Sequence, residues 1–452
     1  MIPGPNQSSL LEQLNALNER PIAPADRHRA ARHLLDWMAC RAAATRLPEA
    51  AAFARALHPE GASAAAPRLL HAATPELEGV LADGALGCLL EMDDVHRSAV
   101  LHPGPVVIPA ALAAARGAKA DVKRLLEAIV RGYEIMIRMG RATGLEHYRH
   151  WHPTSTCGAF GAAAGAASAL GLGAEQTVWA LGNAGSRTGG LWQMRHEAVP
   201  TKALHTALAA QSGWLAARLA AQGFAGPRNL LEGDQGFFAA TAPGADRARL
   251  LAPERTWLIH EVSFKPWPAC RHAHPAMDAL LSIEPRPSIR EIERIDVTTY
   301  AAAIDFCDNR EPTTSGEARF SIQHALAGIL LLGRPQLAHY QVERLADPSL
   351  NALRKRVRLA VDPAYDQAFP AHFGAGVEVQ LTDGARLTAA VDDAWGDPER
   401  PLQDGDLAAK AGDLLEFAGL SPEQSRELID QTLALAGRDD VLAVHALSEA
   451  WT

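Results

Sequence analysis

Histidine, lysine and acidic residues concentrate in four short segments, and these residue types suit proton transfer next to a carboxylate. The first segment, residues 91–104, contains Glu91, Asp93, Asp94 and His102. Close carboxylates shift each other's pKa, so such a segment can supply a general base or position one. A solvated loop that carries a helix N-cap would use the same residue types, and this alternative stays open for the segment alone.

The second segment, the histidine-rich segment, contains three histidines in six residues, His147, His150 and His152, and precedes a long run of alanine and glycine. These small side chains predict a helix packed tightly against other helices, and the preceding Thr154, Ser155 and Thr156 are typical N-cap residues. His152 should then lie at the positive end of a helix, beside N–H groups able to hold an anion. An ordinary turn histidine is the alternative. The histidine spacing matches no zinc motif, so we predict that no metal binds here.

Two basic segments complete the set. Lys202 and His205 open an apolar helix predicted over residues 203–221, where a lysine at the positive helix end suggests an anionic ligand. Residues 265–275 combine a lysine, an arginine and two histidines in a chain that is acidic overall. Such a cluster suits carboxylates or phosphates. Since no glycine-rich phosphate loop occurs, carboxylates are preferred to nucleotides.

Composition narrows the class of protein. The chain has 452 residues, 48% of them hydrophobic, and a formal net charge of −9. It is long enough for two or three domains, and its charge argues against a nucleic-acid partner. No apolar segment approaches the roughly 20 residues that a bilayer needs, and we expect no membrane partner and a cytoplasmic protein. The chain has five cysteines, and no two of them form a CxxC pair: Cys40, Cys88, Cys157, Cys270 and Cys307. This spacing argues against a disulfide framework and against a zinc cage.

The elements that position these segments are mostly helices. Apolar residues at three- and four-residue spacing predict helices over residues 10–17, 30–44, 50–57, 120–139, 275–282, 318–332, 404–418 and 422–436. Residues 292–300 alternate as a strand does, and an Asp-Gly turn between residues 377–381 and 385–391 predicts a hairpin. We therefore predict a mainly α fold. A large all-helical domain would be built from residues 1–262 and 398–452, with an α+β lid domain, residues 263–397, inserted between them.

Five motifs together resemble the MmgE/PrpD family, which includes 2-methylcitrate dehydratase, cis-aconitate decarboxylase and iminodisuccinate epimerase. The motifs occupy residues 91–104, 151–156, 201–205, 265–272 and 317–321. The resemblance implies a helical domain with an inserted lid, a homodimer, a small carboxylate substrate, and a cleft site without metal or organic cofactor. It implies catalytic roles for Asp93, His102, His152, Lys202 and Lys265. The residues expected to bind substrate are Glu91, Thr154, Ser155, His205, Cys270, Arg271 and His272.

Two departures from the family pattern bear on the reaction. Glu91 and Val95 stand where relatives usually carry an aspartate and a threonine, and Cys270 stands where the decarboxylase branch carries a histidine. The second departure argues against decarboxylation. We expect a lyase that acts on a di- or tricarboxylic acid, and the preferred reaction is dehydration of the 2-methylcitrate type. An epimerase of a dicarboxylate is the first alternative, and a catalytically silent homologue is the alternative outside enzymes.

Overall fold

The computed structural model describes residues 8–57, 76–197 and 199–438, and the chain divides into two compact units. The first unit contains the residues up to Leu89, Asp93–Val262 and the residues from Asp404 onward. The second contains Leu90–Met92 and Ser263–Gln403.

The first unit is helical throughout its described part. Its α-helices are α1 (Leu10–Leu17), α2 (Pro24–Ala44), α3 (Pro48–Leu57), α4 (Glu76–Leu86), α5 (Gly104–Gly117), α6 (Val122–Tyr148), α7 (Pro153–Thr156), α8 (Gly158–Leu170), α9 (Ala174–Gly185), α10 (Thr201–Ala221), α11 (Phe237–Thr241), α12 (Arg247–Leu250), α20 (Asp404–Ala418) and α21 (Pro422–Leu433). Short 3-10 helices occupy Trp192–His196, Leu258–Glu261 and Ala434–Gly437.

Helix α8 forms the centre of this unit and packs against α5, α6, α9 and α10. Its alanines and glycines are almost all buried, because only small side chains let helix backbones approach this closely. The positions of α10 that face it are equally small: a Cβ atom at Gly213 would lie 2.5 Å from Ala163 N and 2.7 Å from Ala159 O. The tight packing predicted from composition is therefore confirmed.

The second unit combines helices with a four-stranded sheet. Its elements are α13 (His274–Leu281), β1 (Ile292–Thr299), α14 (Ala301–Cys307), α15 (Ser315–Arg319), α16 (Ile322–Leu332), α17 (Val342–Leu345), α18 (Pro348–Arg354), β2 (Val357–Val361), α19 (Pro363–Ala368), β3 (Ala375–Leu381) and β4 (Arg386–Val391), with 3-10 helices at Arg271–Ala273 and Leu337–Tyr340. The strand order is β2-β1-β3-β4, and only the β1–β2 pair is parallel. Inner residues of β1 and β3, among them Val297 and Val377, share one hydrophobic core with α13 and α16.

The mainly α fold class is confirmed, and so are the strand at β1 and the hairpin of β3 and β4. The helix predicted over residues 318–332 is instead two helices, because the Ser321 side chain accepts the His324 N–H and starts α16 anew. Strand β2 was not predicted. It is an edge strand in which only Val357 is buried, so its sequence shows no alternation. Among the described helices, none is both long and apolar enough to cross a bilayer.

Candidate active site

His102 and Asp93 form an imidazole–carboxylate pair in the loop before α5. The His102 Nδ1 atom lies 2.8 Å from Asp94 O and 3.0 Å from Asp93 Oδ2. A carbonyl oxygen only accepts hydrogen bonds, so Nδ1 must carry the proton and the ring leaves Nε2 for chemistry. The backbone N–H of His102 donates to Thr154 Oγ1 at 3.1 Å, which attaches this loop to α7.

Asp94 connects the same loop to neighbouring helices through its carboxylate. Its carboxylate accepts the Tyr133 hydroxyl at 2.7 Å and the Gly104 N–H at 2.8 Å, and it lies 2.7 Å from His33 Nδ1. Burial raises the pKa of Asp94 to about 6, although the hydrogen bonds from Tyr133 and Gly104 oppose that shift. Asp94 belongs to the first polar segment of the sequence, whereas Tyr133 and His33 were not predicted as site residues. The available signal was that each is a residue with a polar group at a position on the apolar face of its helix, Tyr133 in α6 and His33 in α2.

His152 is the N-cap residue of α7 and is almost completely buried, with 1% of its surface exposed. Its ring centroid lies 4.4 Å from that of Trp192, and its Nδ1 lies 3.3 Å from His205 Nδ1. Within the described part of the chain, His152 Nε2 has no hydrogen-bond partner. Burial holds the pKa of His152 well below its usual value, and the charge of Lys202 lowers it further. The ring is therefore neutral near pH 7, and its Nε2 is left for proton transfer.

The three hydroxyls after His152 are not N-caps, and that prediction is wrong. Pro153 starts α7 immediately after His152, so the hydroxyls lie within this four-residue helix and contact neighbouring segments. Thr154 accepts from His102, Ser155 Oγ donates to His205 O at 3.2 Å, and Thr156 Oγ1 lies 2.7 Å from His147 Nε2. These contacts join the His102 loop, α10 and α6 to the His152 segment.

Lys202 and His205 lie in the first two turns of α10, where both are partly buried. His205 contacts the His152 ring, and Lys202 is near enough to lower the pKa of His152. The first unit therefore brings together Asp93, His102, His152, Lys202 and His205, which were predicted as site residues from three separate segments. The arrangement places three imidazoles and one lysine near one another, and their roles towards substrate stay predictions.

In the second unit, Lys265 contacts Glu91. The fully buried Lys265 Nζ donates to Glu91 O at 3.2 Å and lies 3.5 Å from Glu91 Oε2. Glu91 adopts a φ of 55°, a left-handed conformation that non-glycine residues rarely accept unless the surroundings impose it. The pair holds the Glu91 carboxylate against a buried ammonium group, and the roles of both residues towards substrate stay predictions.

Arg271 and His272, also in the second unit, have protein partners. Arg271 lies 2.5 Å from Asp397 Oδ1 and donates to the Trp395 and Ala394 carbonyl oxygens at 3.0 and 3.2 Å. The His272 Nδ1 atom lies 2.7 Å from the Tyr300 hydroxyl, and its ring stacks on Phe373 and Phe306, with centroid distances of 5.2 and 5.1 Å. These contacts give both residues a structural role, and substrate binding by them stays a prediction.

All five cysteines are buried as free thiols. Cys270 contacts Cys307, and burial raises the pKa of the Cys307 thiol well above its usual value, with a further contribution from Cys270. Cys307 is therefore a neutral thiol near pH 7. The role of Cys270 towards substrate stays a prediction.

The histidine-rich segment does not gather its rings around one point. His147 is held by Thr156 and by the Thr241 carbonyl oxygen, 2.9 Å from its Nδ1, whereas His150 is exposed. Among the described residues, three potential metal ligands come within 4.8 Å of one another only in the second unit, at His372, Asp393 and Glu399. His372 and Asp393 already form an ion pair at 2.9 Å.

Comparison with known proteins matches both parts of the chain. Residues 13–249 match the MmgE/PrpD N-terminal domain and residues 267–435 match the MmgE/PrpD C-terminal domain. The chain is similar to human cis-aconitate decarboxylase, with 29% identity over 71% of this chain and 69% of the relative. It shares 26% identity with a cis-aconitate decarboxylase-like protein of Aspergillus oryzae, over 94% and 93% of the two chains. The 2-methylcitrate dehydratase of Escherichia coli is 26% identical over 38% of this chain and 37% of its own. The chain belongs to the MmgE/PrpD family.

Proposed function

We propose that the protein is a lyase that removes water from a small di- or tricarboxylic acid, in a reaction of the 2-methylcitrate dehydratase type. The observation that carries this proposal is the pair of imidazoles in the first unit, His152 and His102, with different surroundings. Groups whose surroundings differ in this way are suited to separate acid and base roles. The relatives with matching sequence are named as a dehydratase and as decarboxylases, which are both lyases.

His152 is the base in this proposal. Its ring is neutral, and its Nε2 has no hydrogen-bond partner in the part of the chain that the structure describes, which suits removal of a proton from the carbon next to a substrate carboxylate. Lys202 then stabilises the negative charge that develops on that carboxylate as the carbon–hydrogen bond breaks.

His102 is the acid. With Nδ1 turned to Asp94 O and to Asp93, its protonated Nε2 would donate to the leaving hydroxyl group, and the carbon–oxygen bond breaks to release water. The Asp93 carboxylate stabilises the positive charge of the ring before that transfer. The products are an unsaturated acid and water, and the protons gained by His152 and lost by His102 exchange with solvent.

Two other outcomes use the same groups. An epimerase would start with the same proton removal but return a proton to the opposite face of the carbon. Decarboxylation is supported by the more extensive similarity to the named decarboxylases, whereas the resemblance to the family implies that Cys270 stands where that branch carries a histidine. A silent homologue would do none of these, although the distinct surroundings of the two imidazoles favour an active site.

The test is a screen of small hydroxy- and keto-polycarboxylic acids with purified protein. Absorbance of an unsaturated acid indicates dehydration, and deuterium uptake from heavy water without absorbance indicates epimerisation. Release of carbon dioxide would replace this proposal with decarboxylation, and no change with any acid would favour the silent homologue.

Two further parts of the proposal follow from the family: a homodimer in light scattering, and activity without a metal or organic cofactor. The cytoplasmic location stays an expectation from the sequence. Dialysis against EDTA should leave turnover unchanged, because the imidazoles of the site already contact protein groups and Lys202 adds positive charge beside them. Activity that disappears with EDTA and returns with one particular divalent ion would contradict this expectation.

A further inference from the structure

A pocket of about 650 Å³ opens beside His205 and Ser155 in the first unit. This volume falls in the range of roughly 300–1,000 Å³ that holds drug-sized ligands, and a small tricarboxylic acid would leave much of it empty. Its lining includes the apolar side chains Leu191, Met194, Val199, Leu204 and Leu208, beside the polar Arg187, Gln193, Glu197 and His205. The pocket therefore offers more apolar surface than a short, highly charged acid can use.

One face of α10 supplies a wall of the pocket. Thr201, Leu204, His205, Leu208, Ala209 and Ser212 all line it, a set spaced by three, one, three, one and three residues, as one helix face requires. Leu204 and Leu208 are 41% and 44% exposed, respectively, and line the pocket together with His205. The same helix face thus holds His205 against His152 and presents two leucines to the space beside it.

The opposite wall, residues 187–191, is fixed to the His152 segment. The His152 N–H donates to Gly190 O at 2.9 Å, and the Thr188 hydroxyl donates to Thr156 O at 2.7 Å. Gly190 has a φ of 119°, and a Cβ atom there would lie 2.8 Å from Ser155 Cβ. Only glycine lets the wall approach this closely. The wall is therefore anchored beside the catalytic segment, and the pocket is a built feature of this unit.

We propose that this pocket binds an alkyl chain carried by the substrate, so that the acid is an alkyl-substituted di- or tricarboxylate with a chain longer than methyl. The inference rests on the proposed function, because it places the carboxylates at Lys202 and the reacting carbon near His152. The chain would pass His205 and lie along Leu204 and Leu208. Each methylene that leaves water for this surface should strengthen binding about fourfold.

The first experiment compares a series of 2-alkylcitrates with methyl, ethyl, butyl and hexyl chains. We expect kcat/KM to rise about fourfold per methylene over the first several carbons. In parallel, calorimetry measures binding of the corresponding 2-alkylsuccinates, which carry two carboxylates but no hydroxyl group to eliminate. Their affinity should rise with chain length in the same way.

The second experiment changes the wall of the pocket. The double variant Leu204→Ser/Leu208→Ser should reduce the hexyl-to-methyl ratio of kcat/KM by at least tenfold, because the chain loses its apolar surface. Leu219→Ser is the matched control: Leu219 is on the same helix, is 37% exposed, and does not line the pocket. It should leave the ratio unchanged.

The outcomes separate this inference from the proposed function. Succinate affinity that rises with chain length, without turnover of any citrate, would support the pocket and overturn the dehydratase proposal. Turnover of short acids with no dependence on chain length in either assay would overturn the pocket and keep the dehydratase. If the leucine variant instead halves the particle mass in light scattering and chain length has no effect, the face is an interface between two copies and the inference fails.

Discussion

At the scale of single residues, the proposed reaction uses two histidines whose surroundings differ. His152 is buried and neutral, and its Nε2 has no hydrogen-bond partner among the described residues, whereas His102 is fixed at Nδ1 by a carbonyl oxygen and a carboxylate. A general acid or base typically contributes a factor of about 10² to 10⁴ to the rate. Loss of either imidazole should therefore be visible in kcat without any change in the fold.

We expect His152→Gln to lower kcat by at least a hundredfold, because glutamine fills similar space but cannot accept and release a proton near neutral pH. The melting temperature should stay within a few degrees of the parent protein. His150→Gln is the matched control, since His150 is in the same segment and is exposed. A His152→Gln variant that keeps more than about a tenth of the parent kcat would remove His152 from the base role.

The pH dependence of kcat/KM should show the effect of the Lys202 charge on the pKa of His152. If neutral His152 is the base, the acidic limb of kcat/KM has its midpoint below the usual histidine pKa, because burial and then Lys202 disfavour the charged ring. Lys202→Met removes one positive charge, so the pKa of His152 rises and the limb moves to higher pH.

The control for this shift is Lys202→Arg, which keeps the charge and should leave the limb near its original midpoint. A limb that stays in place in Lys202→Met would show that Lys202 does not act on the titrating base. The midpoint is measured from kcat/KM between pH 4 and 8, with the substrate found in the screen.

The sequence was enough to propose the candidate site residues, because histidine, lysine and aspartate are conspicuous in helical segments rich in alanine, and their roles stay predictions. It could not predict which nitrogen of His102 is available, since that depends on a carbonyl oxygen. It also missed the pocket, whose wall at residues 187–191 is an irregular segment held by backbone hydrogen bonds. Backbone groups are identical in every residue and leave no pattern in the sequence.

At the scale of secondary structure elements, close helix packing positions the catalytic segments. The long helices and the hairpin were predictable from periodicity, because their apolar faces are buried over many residues. Ser321 and β2 show where this reasoning fails: a single side-chain cap splits a helix, and an edge strand with one buried residue lacks a pattern.

The contact of α8 with α10 can be tested at Gly213. A Cβ atom there would approach Ala162, Ala163 and Ala159, so Gly213→Ala should destabilise the protein by about 1–3 kcal/mol although alanine favours helices. In Gly412→Ala the new Cβ atom meets only Ile429 Cδ1 at 4.0 Å, and up to about 1 kcal/mol of stabilisation is expected. Urea unfolding measures both. Equal effects of the two changes would contradict close packing at Gly213.

At the scale of the whole molecule, the first unit is assembled from stretches far apart in the chain. Lys410 in α20 donates to Asp36 in α2 at 2.5 Å, across 374 positions of sequence, and both side chains are buried. Burial raises the pKa of Asp36 to about 6, although the nearby Lys410 charge opposes this shift. The sequence predicted the two helices but not this contact, because local periodicity contains no information about pairing over such a distance.

We expect Lys410→Met to cost about 3–5 kcal/mol of unfolding free energy at pH 7.5, because it leaves the Asp36 carboxylate buried without a counter-charge. The cost should shrink near pH 5, where Asp36 binds a proton and no longer needs the lysine. The double variant Asp36→Leu/Lys410→Met should recover most of the loss, since two apolar side chains replace the pair.

Arg218→Met is the matched control: the Arg218–Glu76 pair also joins two helices of this unit, but at 45% and 42% exposure it should contribute less than about 1 kcal/mol. Urea unfolding at the two pH values measures all four proteins. A Lys410→Met variant no less stable than Arg218→Met would show that the ion pair does not hold α20 against α2.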